Sequence, residues 1–223
     1  MSAASAKLVS ADHGGTEQHD RGARARILAA AEEVFAHGGY EGGSLRQVAV
    51  KADVPVGLVS YHFKDKLGLY RAVFEARIPS IVEQRLAGLA LADMEVDPDR
   101  KLELIVKSLL VPMLRLRATE RGRNFGLLLQ REVIDPASAE RDIIRSLLNP
   151  VSEAFMARFR KALPGRSKAT IDWAYGAMIG AMLYIVGGGG RLKRVTGGRA
   201  DPDDIQATTE HLVAFVLAGL RGQ

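Results

Sequence analysis

The sequence predicts an all-α protein with a small N-terminal three-helix unit and a larger C-terminal helical body. Three observations carry that reading. Helix-forming residues dominate the 223 positions, and runs rich in β-branched residues are scarce. Apolar residues recur at the helical period along most of the chain. Each such stripe is punctuated by start and stop residues: Ser, Thr or Asp in front, Pro at first positions, Gly behind.

Met1–Asp20 is polar, rich in Gly, Ser and Ala, and without periodicity, which predicts a disordered arm. Arg21–His37 is expected as the first helix. Ile27, Ala30, Ala31, Val34 and Phe35 form its buried stripe, and Gly38-Gly39 ends it, because glycine tolerates left-handed backbone. Tyr40 is expected to pack beneath this unit. Ser44 then caps a short helix and Gln47, three residues on, completes a capping box. Leu45, Val48, Ala49 and Ala52 share one face. Asp53-Val54-Pro55 breaks that helix, since Pro55 disfavours helical geometry in Val54 yet suits the first turn of a new helix. Val56–Phe63 is that second helix, of about two turns. The pair forms a helix-turn-helix, whose second helix can enter a DNA major groove.

Asp65 caps a long helix, Lys66 to about Ala92, with Leu67, Tyr70, Val73, Phe74, Ile78, Ile81 and Leu86 on its apolar side and a bend at Pro79. Asp97-Pro98 is a cap followed by proline at the first helical position, opening a helix to about Arg117 that Pro112 kinks or interrupts. Thr119 caps Glu120–Ile134. Asp135-Pro136 repeats the cap-plus-proline start for a long amphipathic helix, Pro136–Leu163, bent at Pro150. Ser167 opens a helix to about Val186, a basic Gly-rich loop is expected over Arg191–Asp201, and Asp203–Leu220 is the last helix. The division is therefore an arm (1–20), a helix-turn-helix unit (21–66) and a helical body (67–223).

The segment Ile27 to Leu69 resembles the DNA-binding domain of the TetR family of transcriptional regulators. The resemblance runs through Ile27, Ala30-Ala31, Val34-Phe35, Gly38-Gly39-Tyr40, Ser44-Leu45, Val48-Ala49, Ala52, Val54, Gly57, Tyr61-His62-Phe63, Lys66 and Leu69. Asp53-Val54-Pro55 stands where the family usually has Gly-Val-Ser, and Ser60 where it usually has an aromatic residue. Asn124–Trp173 is faintly similar to ligand domains of the fatty-acid-responsive branch. The resemblance implies a ligand-responsive repressor, homodimeric through its C-terminal helices, on a palindromic operator with half-sites a whole number of helical turns apart. It implies phosphate contacts by Ser44, Tyr61, His62 and Lys66. At the start of the motif Arg46 and Gln47 are candidates for backbone or base contact. On the second helix Gly57 permits close approach, Val56 and Leu58 suit thymine methyls, and Ser60 can hydrogen-bond to a base or phosphate.

In the body, a cavity between helices is expected for a small apolar or acyl-chain effector. Met113, Phe125, Leu128, Leu129, Trp173, Met178 and Met182 are its candidate lining, with Arg117 and Arg131 as candidate anchors for an acidic head group. Gly176, Ala177, Gly180 and Ala181 fall at helical spacing and let two helix backbones approach. With Leu212, Val216 and Leu220 they predict a dimer through a four-helix bundle.

Composition bounds the alternatives. Apolar content of 47% and charged content of 26% are ordinary for a globular protein, and there is no cysteine to build a disulfide or Cys-ligated metal site. The net charge of +5 permits an anionic partner. Arg21–Arg77 carries nine basic and six acidic residues, so its own basicity is mild and the motif carries the DNA reading. The uncharged run Trp173–Gly190 reads as an interface helix rather than a membrane span. No apolar leader precedes the first helix, which fits a cytoplasmic protein. Gly187–Arg191 lacks the strand and the Lys-Ser/Thr of a phosphate loop. The five histidines show no metal spacing. Neither enzyme, cofactor nor metal is expected; the competing reading is a helical adaptor whose DNA-binding unit has lost function.

Overall fold

The computed structural model describes residues 13–221, with side chains from Asp20 onward; among these there are twelve α-helices, one 3₁₀ turn and no strand. Helix α1 (His13–Gly42) starts eight residues ahead of the expected Arg21, so 13–20 belong to helix rather than to the expected arm. The remainder of that arm, 1–12, lies outside the described residues. Asp20 explains part of the extension: its carboxylate reaches His62 at 3.2 Å. The expected stop is in place. Gly39 has φ 66° and ψ −174°, a conformation open to glycine, and it interrupts the regular helix before the last turn.

α2 (Leu45–Ala52) and α3 (Val56–Phe63) begin and end where the sequence places them. The Ser44 hydroxyl oxygen accepts from the Gln47 N–H at 3.3 Å and donates to Gln47 Oε1 at 2.9 Å. Gln47 thus closes the box on the hydroxyl, not on the Ser44 N–H. Asp53 sits in left-handed geometry, φ 52°, ψ 58°. This is why the family's glycine can be replaced here: aspartate is one of the few side chains that tolerates that region. Pro55 occupies the N-cap of α3 with φ −61° and offers no capping oxygen. Ile27, Ala31 and Phe35 meet Val48, Ala49, Val59 and Phe63 in the apolar core beneath the motif.

The long helix expected from Lys66 to Ala92 is two: α4 (Lys66–Glu75), capped by Asp65, and α5 (Ile78–Met94). The chain breaks at Ala76-Arg77, which puts Pro79 in a first turn where its missing N–H leaves no bond unmade. α6 (Pro98–Leu114), capped by Asp97, passes into the 3₁₀ turn Arg115–Ala118. α7 (Glu120–Ile134) runs as expected from its Thr119 cap. The helix expected over Pro136–Leu163 is also split, into the single turn α8 (Ser138–Arg141) and α9 (Ile143–Ala162), by Asp142 at φ 55°. The break turns Arg141 inward onto α7, whereas Pro150 is accommodated inside α9. α10 (Lys168–Val186) is capped by Ser167, and the expected loop over 191–201 holds a short helix, α11 (Gly190–Val195), pinned by a 2.6 Å ion pair from Lys193 to Asp201. α12 (Ile205–Arg221) closes the chain.

α1 lies along α7 and joins the helix-turn-helix head to the body; α5 lies along α6. A buried polar network locks the same joint. Glu132 on α7 accepts from the Tyr70 hydroxyl and the Ser138 hydroxyl, each at 3.0 Å, and from Arg141 at 2.7 Å. Arg141 also stacks over Tyr40 and Tyr70, and its carbonyl accepts from Arg71 at 2.7 Å. Burial and the neighbouring Glu132 carboxylate push the Tyr70 phenol well above its ordinary range. The pairing of Glu132 is therefore interior, not at the surface where such charges usually meet.

Candidate nucleic-acid interface and effector cavity

Because α3 is anchored by Val59 and Phe63, its opposite face is presented outward. Tyr61 is 76% exposed and Val56 50%; Gly57 and Ser60 are exposed, and Leu58 is half-buried against the core. Arg46 and Gln47 on α2 are exposed beside them, with Ser44 half-buried at its cap. Two of the sequence candidates are placed differently. His62 turns its side chain inward, 7% exposed, with Nε2 facing Asp20 but misaligned for a hydrogen bond. Lys66 is spent at the joint: Nζ donates to the Glu41 carbonyl at 3.1 Å and stands 4.6 Å over the Tyr40 ring.

Other cations in and around the head are engaged too. Arg24 stacks on Phe63, Lys51 pairs with Glu33 at 2.6 Å, and Arg77 reaches Glu32 at 3.6 Å. Arg46 and Lys64 are exposed without an ion pair among the described residues. Lys64, at the C-cap of α3 with φ 66°, was not singled out by sequence; its signal is position alone, directly after the recognition helix.

In the body, a cavity of about 120 Å³ opens between α5, α6, α7, α9 and α10. Met113, Leu129 and Met182 are in its wall. Phe125, Leu128 and Met178 do not; they are plain core, Phe125 edge-on to Phe74. Trp173 is 82% exposed on the outer face of α10, and Arg131 is at the surface. Arg117 is buried but consumed: it pairs with Asp203 at 2.7 Å and donates to the carbonyls of Pro202 and Ile185, clamping the start of α12 to the end of α10. The charged group in the cavity wall is instead Arg85, a residue the apolar reading of α5 passed over.

α10 divides its apolar residues. Ile171, Met178, Met182, Leu183 and Val186 face the body core, while Trp173, Gly176, Ala177, Gly180 and Tyr184 face outward. A Cβ added at Gly176 or Gly180 would meet nothing within 4 Å. By length and composition this helix could cross a membrane, but its core half is packed in the body. On α12 the expected interface stripe is corrected: Leu212, Val216 and Leu220 are buried in their own chain, and Phe215, 68% exposed, with Ala214 and Ala218 forms the open side. A single apolar stripe does not say which chain covers it.

A helix-turn-helix with an outward second helix, on an all-helical body enclosing a cavity, defines a DNA-binding transcriptional regulator that responds to a ligand. The chain belongs to the TetR family. Residues 27–73 match the model for bacterial regulatory proteins of the tetR family, and residues 107–219 match the tetracyclin repressor-like C-terminal domain. The transcriptional repressor BepR of Brucella suis is 27% identical over 169 residues, 74% of this chain and 77% of that protein. The repressor AcnR of Corynebacterium diphtheriae is 27% identical over 154 residues, 60% and 80%. Among solved structures, the fatty acid degradation regulator FadR from Bacillus halodurans superposes with a TM-score of 0.60 at 17% identity, covering 87% of this chain and 98% of its own. FadR from Bacillus subtilis in complex with stearoyl-CoA gives 0.58 at 17% identity, with the same coverage. At this identity the structures share the fold.

Proposed function

We propose that this regulator is a cytoplasmic homodimeric repressor that leaves a palindromic operator when a small, largely apolar effector occupies the body cavity. The observation that carries the DNA part is the two-sidedness of α3: Val59 and Phe63 lock it to the head while Val56, Gly57, Ser60 and Tyr61 stay open. Ser44, Arg46, Gln47 and Leu58 flank that surface, and Lys64 joins them as a phosphate contact. His62 serves better as a brace between α1 and α3, and Lys66 as a pin between α1 and α4. The second copy covers Trp173, Ala177, Gly180 and Tyr184 on α10 and Phe215 on α12, which supports a two-fold bundle and hence a palindrome. Light scattering that finds a monomer at micromolar protein would remove the dimer.

The head, 21–66, and the body, 67–223, communicate through α4 and through the α1–α7 contact. Stearoyl-CoA in the Bacillus subtilis FadR supports a hydrophobic effector, and the cavity here, about 120 Å³, has room for only a small one. Release then needs only a modest bias: tenfold weaker DNA binding corresponds to about 1.4 kcal/mol of preference for the released arrangement. A gel shift on DNA upstream of the protein's own gene tests the reading. Wild-type protein is expected to bind, and Tyr61→Ala to bind at least about tenfold more weakly with unchanged helicity. Absence of wild-type binding would favour the adaptor reading.

A further inference from the structure

Arg85 is 4% exposed and lines the cavity, yet among the described residues it has no carboxylate partner. Its Nε donates to the Leu109 carbonyl at 3.1 Å, and Nη2 lies 3.6 Å from the Met182 sulfur, a weak acceptor. Nη1 makes no hydrogen bond among the described residues. The other buried arginines are treated differently: Arg117 has Asp203, and Arg141 has Glu132 and Asp135. A guanidinium taken out of water without an anion is costly, and such charges are paired in settled interiors. Burial lowers the Arg85 pKa to about 10, and the neighbouring Tyr175 phenol opposes that fall, so the group is cationic at neutral pH.

We propose that the effector is a small monocarboxylate, its carboxylate pairing with Arg85 and its apolar body lying among Met113, Leu129 and Met182. This deepens the proposed function and rests on its cavity being the effector site. One cation matches one negative charge; among the described residues no second cation lines the wall to balance a phosphate dianion. The guanidinium fork suits a carboxylate in two parallel hydrogen bonds. Ser152 and Asn149 at the wall are further polar contacts. At about 120 Å³ the space is well below the roughly 300–1,000 Å³ of pockets for drug-sized ligands, which favours short, branched or aromatic acids over long chains.

The test is calorimetric titration of the full-length protein with butyrate, hexanoate, isovalerate, benzoate and phenylacetate. Each acid is paired with its neutral amide, and inorganic phosphate is a separate arm. At least one acid is expected to bind, its amide at least about tenfold more weakly, and phosphate not at all. Arg85→Met should abolish acid binding while its melting temperature stays at or above wild type, because an unpaired buried charge has been removed. Arg85→Lys should recover part of the affinity. Equal binding of acid and amide, retention of acid binding by Arg85→Met, phosphate binding in place of acids, or no acid binding at all each overturns the proposal. So does a melting temperature that falls in Arg85→Met while wild type shows no preference for acid over amide, since Arg85 is then only a strut to Leu109. A gel shift on the same preparations separates the two levels: if DNA is bound while the acids fail, the operator reading survives and the carboxylate falls.

Discussion

The head and the body bury charge to different extents. Beneath the helix-turn-helix the packing is mostly apolar, with Glu32 and the His62 side chain as its buried ionisable groups, and the cations around it are exposed or tied at the rim. The body encloses Arg85, Arg117, Glu132 and Arg141. The head needs one fixed shape, which apolar packing supplies. Interior ions cost desolvation, so they are kept where geometry must be held at a joint, as with Glu132 and Arg141, or where something outside the chain completes the pairing, as proposed for Arg85.

That contrast can be broken most forcefully at Glu132. Glu132→Ala leaves the buried Arg141 with Asp135 as its remaining carboxylate among the described residues and the Tyr70 and Ser138 hydroxyls without their acceptor, and should cost about 3 kcal/mol in denaturant unfolding. A loss no larger than that of a surface substitution would mean the body's charges are ornamental. In the head the corresponding contributions are local: Ser44→Ala removes the α2 cap and should cost about 1 kcal/mol, read as a lower melting temperature.

The smallest effect is at the border. Glu32 on α1 is 2% exposed with Oε1 unpartnered among the described residues, and burial raises its pKa despite Arg77 and Arg121 nearby. A raised carboxyl pKa means the protonated form favours the fold. That contribution is complete below the ordinary value of 4.5 and is lost as pH rises through the folded-state value. Glu32→Gln should therefore match wild type near pH 4 and exceed it at pH 7; the reverse order in pH-resolved melting curves would show that the two arginines dominate.

In the head the ends of α2 and α3 and the break in α1 were legible because their signals are local: the Ser44 cap, the Pro55 stop and Gly39 each act within a turn; the inward turn of His62 and the engagement of Lys66 were not, since both depend on contacts with α1. The body was legible as helices but not as a site. Arg85 was readable by spacing, since Ile78, Ile81, Arg85 and Leu89 follow one face, yet the apolar Leu86 beside it took its place in the stripe; Leu86 is 45% exposed. The breaks at Ala76-Arg77 and Asp142 carry no glycine and come from tertiary pulls, the second from Arg141 swinging in to Glu132. On α12 periodicity found the buried stripe correctly but could not assign it to one chain or two. Phe215, standing off the stripe and exposed, is the better marker of the partner surface proposed above.

The joint of Tyr70, Glu132, Ser138 and Arg141 also governs how the head can move. Greasy contacts slide by fractions of an ångström at little cost, but directional bonds around a single carboxylate are either made or lost. A head mounted this way clicks between settings like a detent rather than drifting like a hinge, so intermediate occupancy should appear as a mixture of two kinds of molecule, not as one kind half turned.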